Sequence, residues 1–483
     1  MQSRLIFKVL GFLIIMFSVS MLPPLFIGWY DKDGTLQVFL QSWGGLLLLG
    51  ALMWLPNRRQ SDELRIRDGF LIVVLFWLVL ALSGAVPFIL SEDPQMSIVD
   101  AVFESMSGLT TTGATVLTGL DHLPRSILYY RQQIQWLGGM GIIVLAVAIA
   151  PVLGVGGMQL FRAETPGPMK NNKLTPRITE TAKALWLVYF GLTVLAATLY
   201  FAAGMSLFDA IGHSFSTMAT GGFSTHDASI AYFNSPLIEG LVMLFMLLAG
   251  INFSLHYLAI HRRSLRHYFF DSEVKAYLLI LSVLSLITIS LLIYKGTFVE
   301  TTSAVRYGLF QVITTVTSTG FTAHSLNYWP GVLPVLLIIG SFVGGCAGST
   351  AGGMKVIRVE LLLRQGRREI DRLLHPSAVL PIKLNKRPVP DSVINAVWGF
   401  FALYVASFVS LSLLMMVSGS DIVTAFSAIA ATLNNLGPGL GEVADNYRSI
   451  SDTGKWILSF TMLLGRLELF SLLVVLTPAF WKR

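Results

Sequence analysis

Four sixteen-residue stretches are variants of one pattern, and each lies between two long apolar segments. They are Asp100–Thr115 (DAVFESMSGLTTTGAT), Asp209–Ser224 (DAIGHSFSTMATGGFS), Tyr307–Thr322 (YGLFQVITTVTSTGFT) and Thr424–Gly439 (TAFSAIAATLNNLGPG). Aligned on Gly113, Gly222, Gly320 and Gly437, the position two before the glycine is always polar: Thr111, Thr220, Ser318, Asn435. The position four before is always apolar (Leu109, Met218, Val316, Leu433), and the position twelve before is always small (Ala101, Ala210, Gly308, Ala425). The glycines lie 109, 98 and 117 residues apart, which marks an internal repeat rather than chance. Four copies of one short hairpin in a single chain can close around one axis.

Composition fixes the solvent. Hydrophobic residues are 54% of the 483 and charged residues only 13%, about half the charged share of an ordinary soluble domain. Apolar runs recur at bilayer-spanning length, and they are continuous rather than alternating, so helical spans are expected and a β-barrel is not. The net charge of +7 is no nucleic-acid signal. Lys and Arg gather before the first span (Arg4, Lys8), in 57–68, 154–183, 261–275 and 355–387, and at the C-terminus. This alternation is the positive-inside pattern and puts both termini in the cytoplasm. The first run, Leu5–Tyr30, is too long for a cleaved leader and reads as a retained span. Cys346, the single cysteine, can form no intrachain disulfide.

Ten spans are expected: Leu5–Tyr30, Leu36–Pro56, Gly69–Leu90, Tyr130–Leu153, Ala182–Ala203, Ser235–Ile260, Val274–Tyr294, Gly331–Leu363 (interrupted), Ser392–Val417 and Lys455–Pro478. The repeated stretches fall between spans three and four, five and six, seven and eight, and nine and ten. The fold class is therefore an all-α integral membrane protein with four span–pore helix–filter–span units and two extra N-terminal spans. The divisions run 1–66 for the extra spans, then 67–165, 166–265, 266–375 and 376–483 for the four units. Each pore helix is too short to cross the membrane, since eleven residues reach only about 16 Å into a core of about 30 Å. Asp100 and Asp209 are expected to cap the outer ends, leaving the negative ends of the helix dipoles aimed at the membrane centre.

That geometry suits a cation. A filter needs successive carbonyl oxygens turned to one axis, and glycine takes the positive φ of such a turn without steric cost. The predicted ion-coordinating residues are Thr111, Thr112 and Gly113; Thr220, Gly221 and Gly222; Ser318, Thr319 and Gly320; Asn435, Leu436 and Gly437. Backbone oxygen ligands suit hard alkali cations rather than transition metals. No ring of four carboxylates occurs at these positions, which argues against divalent ions.

The segments SGLTTTGAT (Ser107–Thr115), MATGGFST (Met218–Thr225), TSTGFT (Thr317–Thr322), LNNLGPG (Leu433–Gly439) and GGCAGSTAGGMK (Gly344–Lys355) carry a resemblance over essentially the whole chain. The sequence resembles the TrkH family of bacterial Trk potassium uptake systems, within the superfamily that includes KtrB and plant HKT proteins. The resemblance implies potassium uptake across the cytoplasmic (inner) membrane and a homodimer with one pore per subunit. It also implies regulation by a cytosolic, nucleotide-binding, TrkA-like ring. K⁺ would be the transported ion, with no cofactor on this chain and no nucleic acid as partner.

Glycines crowd 340–353 in the eighth span: Gly344, Gly345, Gly348, Gly352 and Gly353, with Ser349 and Thr350 among them. Each costs a helix about 1 kcal/mol relative to alanine, so an irregular intramembrane loop is expected, serving as a gate below the filter. Close helix packing through the small-xxx-small spacing of Gly344, Gly348 and Gly352 is the simpler alternative. Arg466, inside the tenth span, is a candidate electrostatic barrier or a ligand for the loop's carbonyls; Glu468, two residues on, does not share its helix face. His213 reads as a packing residue. The basic helix LLLRQGRREIDRLL in the connection Leu361–Asp391 is either a solvated face or a docking surface for a cytosolic partner.

Other classes fit less well. A secondary transporter for a small metabolite, or one coupled to sodium, uses re-entrant loops in two inverted repeats rather than four like-oriented ones. An enzyme is not expected, because HExxH and G-x-S-x-G are absent and GSTAGGMK lacks the Gly-Lys-Ser/Thr of a phosphate loop.

Overall fold

The computed structural model describes residues 2–59, 65–141, 178–326, 329–378, 380–385 and 387–482. Six helices in these residues are long and apolar enough to cross a membrane: Ser3–Asp31, Leu36–Asn57, Arg67–Leu90, Ala182–Ala202, Ser272–Tyr294 and Asp391–Val417. Ser3–Asp31 and Arg67–Leu90 are mostly buried, whereas Leu36–Asn57, Ala182–Ala202, Ser272–Tyr294 and Asp391–Val417 are mostly exposed and form the outer layer. Large apolar side chains along them face outward, among them Leu187, Leu279, Leu286 and Leu413, as a helix bathed in lipid requires.

Four short helices stand inside this layer: Ile98–Leu109, Leu207–Ala219, Thr301–Val316 and Ile422–Leu433. Their C-terminal halves are buried, while Thr301, Thr302, Val305, Ile422, Val423 and Phe426 near the opposite ends are exposed. In Ile98–Leu109 every residue from Ala101 onward is buried. Three of the four have a side-chain N-cap, but not from the residues the sequence suggested, and Thr301–Val316 has none. Ser97 and Ser206 are the N-caps, and Asp100 and Asp209 sit one turn in. Each serine oxygen accepts from the aspartate N–H at 3.1 Å, a variant of the capping box with aspartate in the glutamate position. Only the fourth short helix carries an aspartate cap, Asp421, which accepts from Val423 and Thr424.

The segments following the short helices break where continuous spans were expected. The sixth bends by 96° between Pro236–Ala249 and Phe253–His261. Asn252 restarts the helix as an N-cap, its side chain accepting from Ser254 N at 2.8 Å. The tenth bends by 117° between Asp452–Arg466 and Phe470–Leu476, with Glu468 and Leu469 at φ 49° and 58°. The eighth is interrupted as expected, between Val332–Ser341 and Val356–Leu374. The fourth is helical over Arg125–Gly139, and its expected continuation to Leu153 lies outside the described residues.

Two buried apolar clusters fill the interior. One unites the N-terminal helices with the first and fourth short helices, and the other lies around the second and third. In the connection between Val356–Leu374 and Asp391–Val417 the two-residue strands Lys383–Leu384 and Arg387–Pro388 pair antiparallel.

Candidate functional site

Each short helix ends in the same way. The residue two before the aligned glycine enters the left-handed region: Thr111 at φ 54°, Thr220 at 52°, Ser318 at 53° and Asn435 at 51°. The next backbone N–H then reaches back five residues, Thr112 to Ser107 O (2.9 Å), and Gly221 to Ser216 O, Thr319 to Thr314 O and Leu436 to Ala431 O (each 2.8 Å). The left-handed residue itself donates three residues back, as Thr111 does to Gly108 O at 3.0 Å. These are Schellman caps, in which glycine normally holds the left-handed position. Here threonine, serine and asparagine hold it. A β-branched threonine there is an outlier, and such strain of about 1–3 kcal/mol gathers at functional sites. The aligned glycines follow at φ 80°, 79°, 82° and 94°.

The four turns meet. A Cβ on Gly113 would lie 2.0 Å from Gly221 O, one on Gly222 2.1 Å from Thr319 O, one on Gly320 2.1 Å from Leu436 O, and one on Gly437 2.7 Å from Thr112 O. Every glycine is thus covered by the carbonyl of the residue preceding the next glycine, and the sequence of contacts returns to its start. Glycine is required twice over, by φ and by the neighbouring backbone. The helix C-termini and their negative dipole ends lead directly into this ring.

Side chains tie the ring together. Asn435 Nδ2 donates to Thr112 Oγ1 at 2.9 Å and to Met462 O at 3.1 Å. Thr112 and Thr319 each share a hydroxyl contact of 2.8 Å with the threonine two before, Thr110 and Thr317. Gln135 braces the second turn, donating to Gly221 O at 2.7 Å and accepting from Phe223 N at 3.1 Å. Behind the first turn Arg131 is wholly buried. Its Nε donates to Glu104 Oε1 at 2.8 Å, its Nη2 to Thr115 Oγ1 at 3.0 Å, and its guanidinium lies 4.3 Å from the centre of the Phe223 ring. The second carboxylate oxygen of Glu104 accepts from Val116 N at 3.0 Å. His213 is a packing residue, bound to Asp209 O and Ser224 Oγ at 2.9 Å each.

The glycine-rich segment 342–355 is irregular and lies against three of the four short-helix ends. Thr350 Oγ1 donates to Met218 O at 2.9 Å, Gly352 N to Ser318 Oγ at 2.6 Å, and Gly353 N to Asn434 O at 3.2 Å. Gly344, Gly348 and Gly353 have φ of 71°, 76° and 74°, so the helix-packing alternative does not hold. A Cβ on Gly352 would fall 1.9 Å from Asn434 O, and one on Gly345 2.9 Å from Gly250 O. Ser349 closes a local turn by donating to Cys346 O at 2.6 Å. Arg466 joins the segment to the first unit: Nη1 donates to Thr350 O (3.1 Å) and Thr111 Oγ1 (3.2 Å), and Nη2 to Gly138 O (2.7 Å). Glu468 pairs instead with Arg358, from the helix that follows the segment.

A charged cluster lies at the N-terminal end of Leu207–Ala219, away from the ring. His226 Nδ1 lies 2.5 Å from Asp121 and Nε2 3.3 Å from Asp209, with the ring stacked on Tyr232. Burial lowers the affinity of His226 for a proton, but the carboxylates outweigh it and raise its pKa above the ordinary value. Asp227 accepts from Gly119 N and Leu120 N, joining the same two loops.

All twelve predicted coordinating residues therefore lie in the four turns, and Thr350, Gly352, Gly353 and Arg466 touch the short-helix ends, whereas Gly344, Gly345, Gly348 and Ser349 meet the rest of the loop and the bend at Gly250 and Asn252. Glu104, Arg131, Gln135, Arg358 and Glu468 were missed as functional candidates. The run RQQIQW at 131–136 was a usable signal, because polar side chains inside an expected span turn toward protein rather than lipid.

An outer layer of apolar helices around short helices that end on one shared centre defines an all-α integral membrane protein with a central backbone-lined site. The family model described as "TrkH: Cation transport protein" matches residues 35–483. The chain is 55% identical over the full length of both chains to the Trk system potassium uptake protein TrkH of Halomonas elongata, and 52% identical, again at full coverage, to that of Escherichia coli K12. The crystal structure of the potassium transporter TrkH from Vibrio parahaemolyticus is similar with a TM-score of 0.91, at 50% identity and full coverage of both chains. The chain belongs to the TrkH family of cation transport proteins.

Proposed function

We propose that this chain carries potassium into the cell across the cytoplasmic membrane, through a filter built from the four glycine turns. The observation that carries the reading is the closed ring in which Gly113, Gly222, Gly320 and Gly437 each meet a carbonyl of the following turn. Main-chain oxygens of Thr111–Gly113, Thr220–Gly222, Ser318–Gly320 and Asn435–Gly437 replace the hydration shell of the ion, and the dipoles of four helix C-termini favour its positive charge. Relatives matched end to end are named as potassium uptake proteins.

In this reading the chain has ten spans, with two ahead of four pore units at 67–165, 166–265, 266–375 and 376–483, and both termini in the cytoplasm. The segment containing Gly344, Gly345, Gly348, Ser349, Thr350, Gly352 and Gly353 is the gate, and Arg466 places a positive charge beside the path. Flow is passive, because the membrane potential supplies about 2.3 kcal/mol per charge per 100 mV. The protein works as a homodimer under a cytosolic nucleotide-binding ring, which engages the basic helix Val356–Leu374.

Growth of a potassium-uptake-deficient bacterium on low potassium, with rubidium influx as the readout, tests the function. Rescue by the intact chain with its regulatory partner is expected. Failure to rescue despite confirmed membrane expression would refute it.

A further inference from the structure

Glu273 stands at the start of the helix Ser272–Tyr294 and is buried. One of its carboxylate oxygens, Oε1, accepts from Ala347 N at 2.7 Å and from Ile357 N at 3.2 Å. One of these N–H groups lies inside the glycine-rich segment, ahead of 348–353, and the other just past its end. A single oxygen thus clamps both legs of the loop. Without this oxygen two buried backbone N–H groups would lose their partner, at about 1–3 kcal/mol each, and a loop pinned at both legs has little freedom left.

The rest of the loop docks onto the break in the sixth span. Cys346 N donates to Gly250 O at 2.8 Å, Phe253 N to Gly348 O at 3.0 Å, and Thr350 Oγ1 to Ala249 O at 3.3 Å. Lys355, also buried, turns its ammonium back onto Ala351 O. The clamp also has a connection to the cytoplasmic surface. Ser272 N, one residue before Glu273, donates to Asn385 Oδ1 at 2.9 Å. Asn385 lies between the paired strands Lys383–Leu384 and Arg387–Pro388, and its Nδ2 lies 3.4 Å from Asp271 Oδ2.

We propose that Glu273 is a positioning residue that latches the intramembrane loop closed by holding Ala347 and Ile357 together, and that the hairpin carrying Asn385 is the cytoplasmic handle on that latch. This rests on the reading of the loop as the gate. It adds the group that holds the gate and the route by which a cytosolic partner reaches it.

The chain supplies its own reporter. Cys346 is its single cysteine, is fully buried and immediately precedes Ala347. The full-length protein in membrane vesicles is treated with a membrane-permeant maleimide, and modification of Cys346 is followed by mass spectrometry beside rubidium flux. Glu273→Ala is expected to speed Cys346 modification by about tenfold or more and to raise flux without activation. Glu273→Gln keeps an acceptor oxygen, so its rise should be smaller, at most about threefold. A residue needed only for folding would lower membrane expression and flux together and leave a folded fraction with Cys346 protected. Modification at the wild-type rate in Glu273→Ala overturns the latch; if that variant does not reach the membrane, the same result in Glu273→Ser, whose hydroxyl is too short to reach both N–H groups, does so. Deleting Ser349–Gly352 tests the gate separately: unchanged flux there, beside faster Cys346 modification in Glu273→Ala, would sink the gate and uphold the latch.

Discussion

Asn435 and Thr112, 323 residues apart, close the ring: the amide Nδ2 of the fourth turn donates to the hydroxyl of the first at 2.9 Å. The last unit is thereby bound to the first, and Gly437 packs under Thr112 O in the same place. Replacing Asn435 with alanine removes this bond and the one to Met462 O. At about 1–3 kcal/mol for a buried polar group left without its partner, the junction should loosen. Rubidium influx is expected to fall about tenfold with expression retained, and discrimination against sodium should weaken; competition of sodium with rubidium uptake measures the second effect.

Gly320 and Gly119 separate conformation from contact. Both have positive φ, 82° and 73°, but a Cβ on Gly320 meets Leu436 O at 2.1 Å while one on Gly119 meets nothing within 4 Å. Gly320→Ala should abolish transport. Gly119→Ala should cost about 1 kcal/mol of stability and leave transport intact. Flux assays on equal amounts of membrane protein, with thermal denaturation of the purified variants, check both.

Arg466 holds the loop to the first unit through Thr350 O, Thr111 Oγ1 and Gly138 O. Arg466→Ala removes all three bonds and the charge beside the path. Rubidium flux in the absence of activation should rise several-fold, by about the factor that loss of one charged hydrogen bond allows. Arg466→Lys should restore part of the closure, since lysine keeps the charge but not the fork of donors.

The Glu104–Arg131 pair is wholly buried. Arg131→Ala alone leaves a buried carboxylate unmatched and should destabilise by about 3–5 kcal/mol. A double replacement by apolar residues, Glu104→Met with Arg131→Leu, should recover much of that loss. Melting temperatures in detergent compare the single and double variants.

His226 predicts a pH dependence at the N-terminal end of Leu207–Ala219. Its pKa in the folded protein is raised above the ordinary 6.5, so its stabilising effect is complete below about 6.5 and fades as pH rises through the higher folded value. Hydrogen exchange of the loop after the second turn should therefore quicken across that window more than base catalysis alone dictates. His226→Gln should remove the excess.

Much of the site was legible because it is local. Polar-x-glycine after an amphipathic stretch of helix length specifies a short helix, a left-handed cap and a turn, and these depend on neighbours within a few residues. The glycine crowding at 340–353 likewise announced a loop through helix propensity alone. The breaks at Gly250–Asn252 and Arg466–Phe470 were hidden, because AGINF and LLGRLELF are apolar enough to continue a span. At the second, Glu468 turns out of the helix with positive φ and meets Arg358, 110 residues away. Asp100 and Asp209 were read as caps because acid at a helix start is favourable anywhere in the first turn; which residue caps depends on one backbone dihedral.

The sequence by itself determined the solvent, the topology signal of the basic connections, the four short helices and the positions of their turns, since each follows from hydropathy, charge or backbone chemistry within one segment. Only the tertiary structure decided that the turns meet, that each glycine lies under the carbonyl of the next, that Arg466 and Asn435 join distant units, and that Glu273 ties together two parts of its own unit. Those contacts join segments from 74 to 355 residues apart along the chain, and no local preference encodes them.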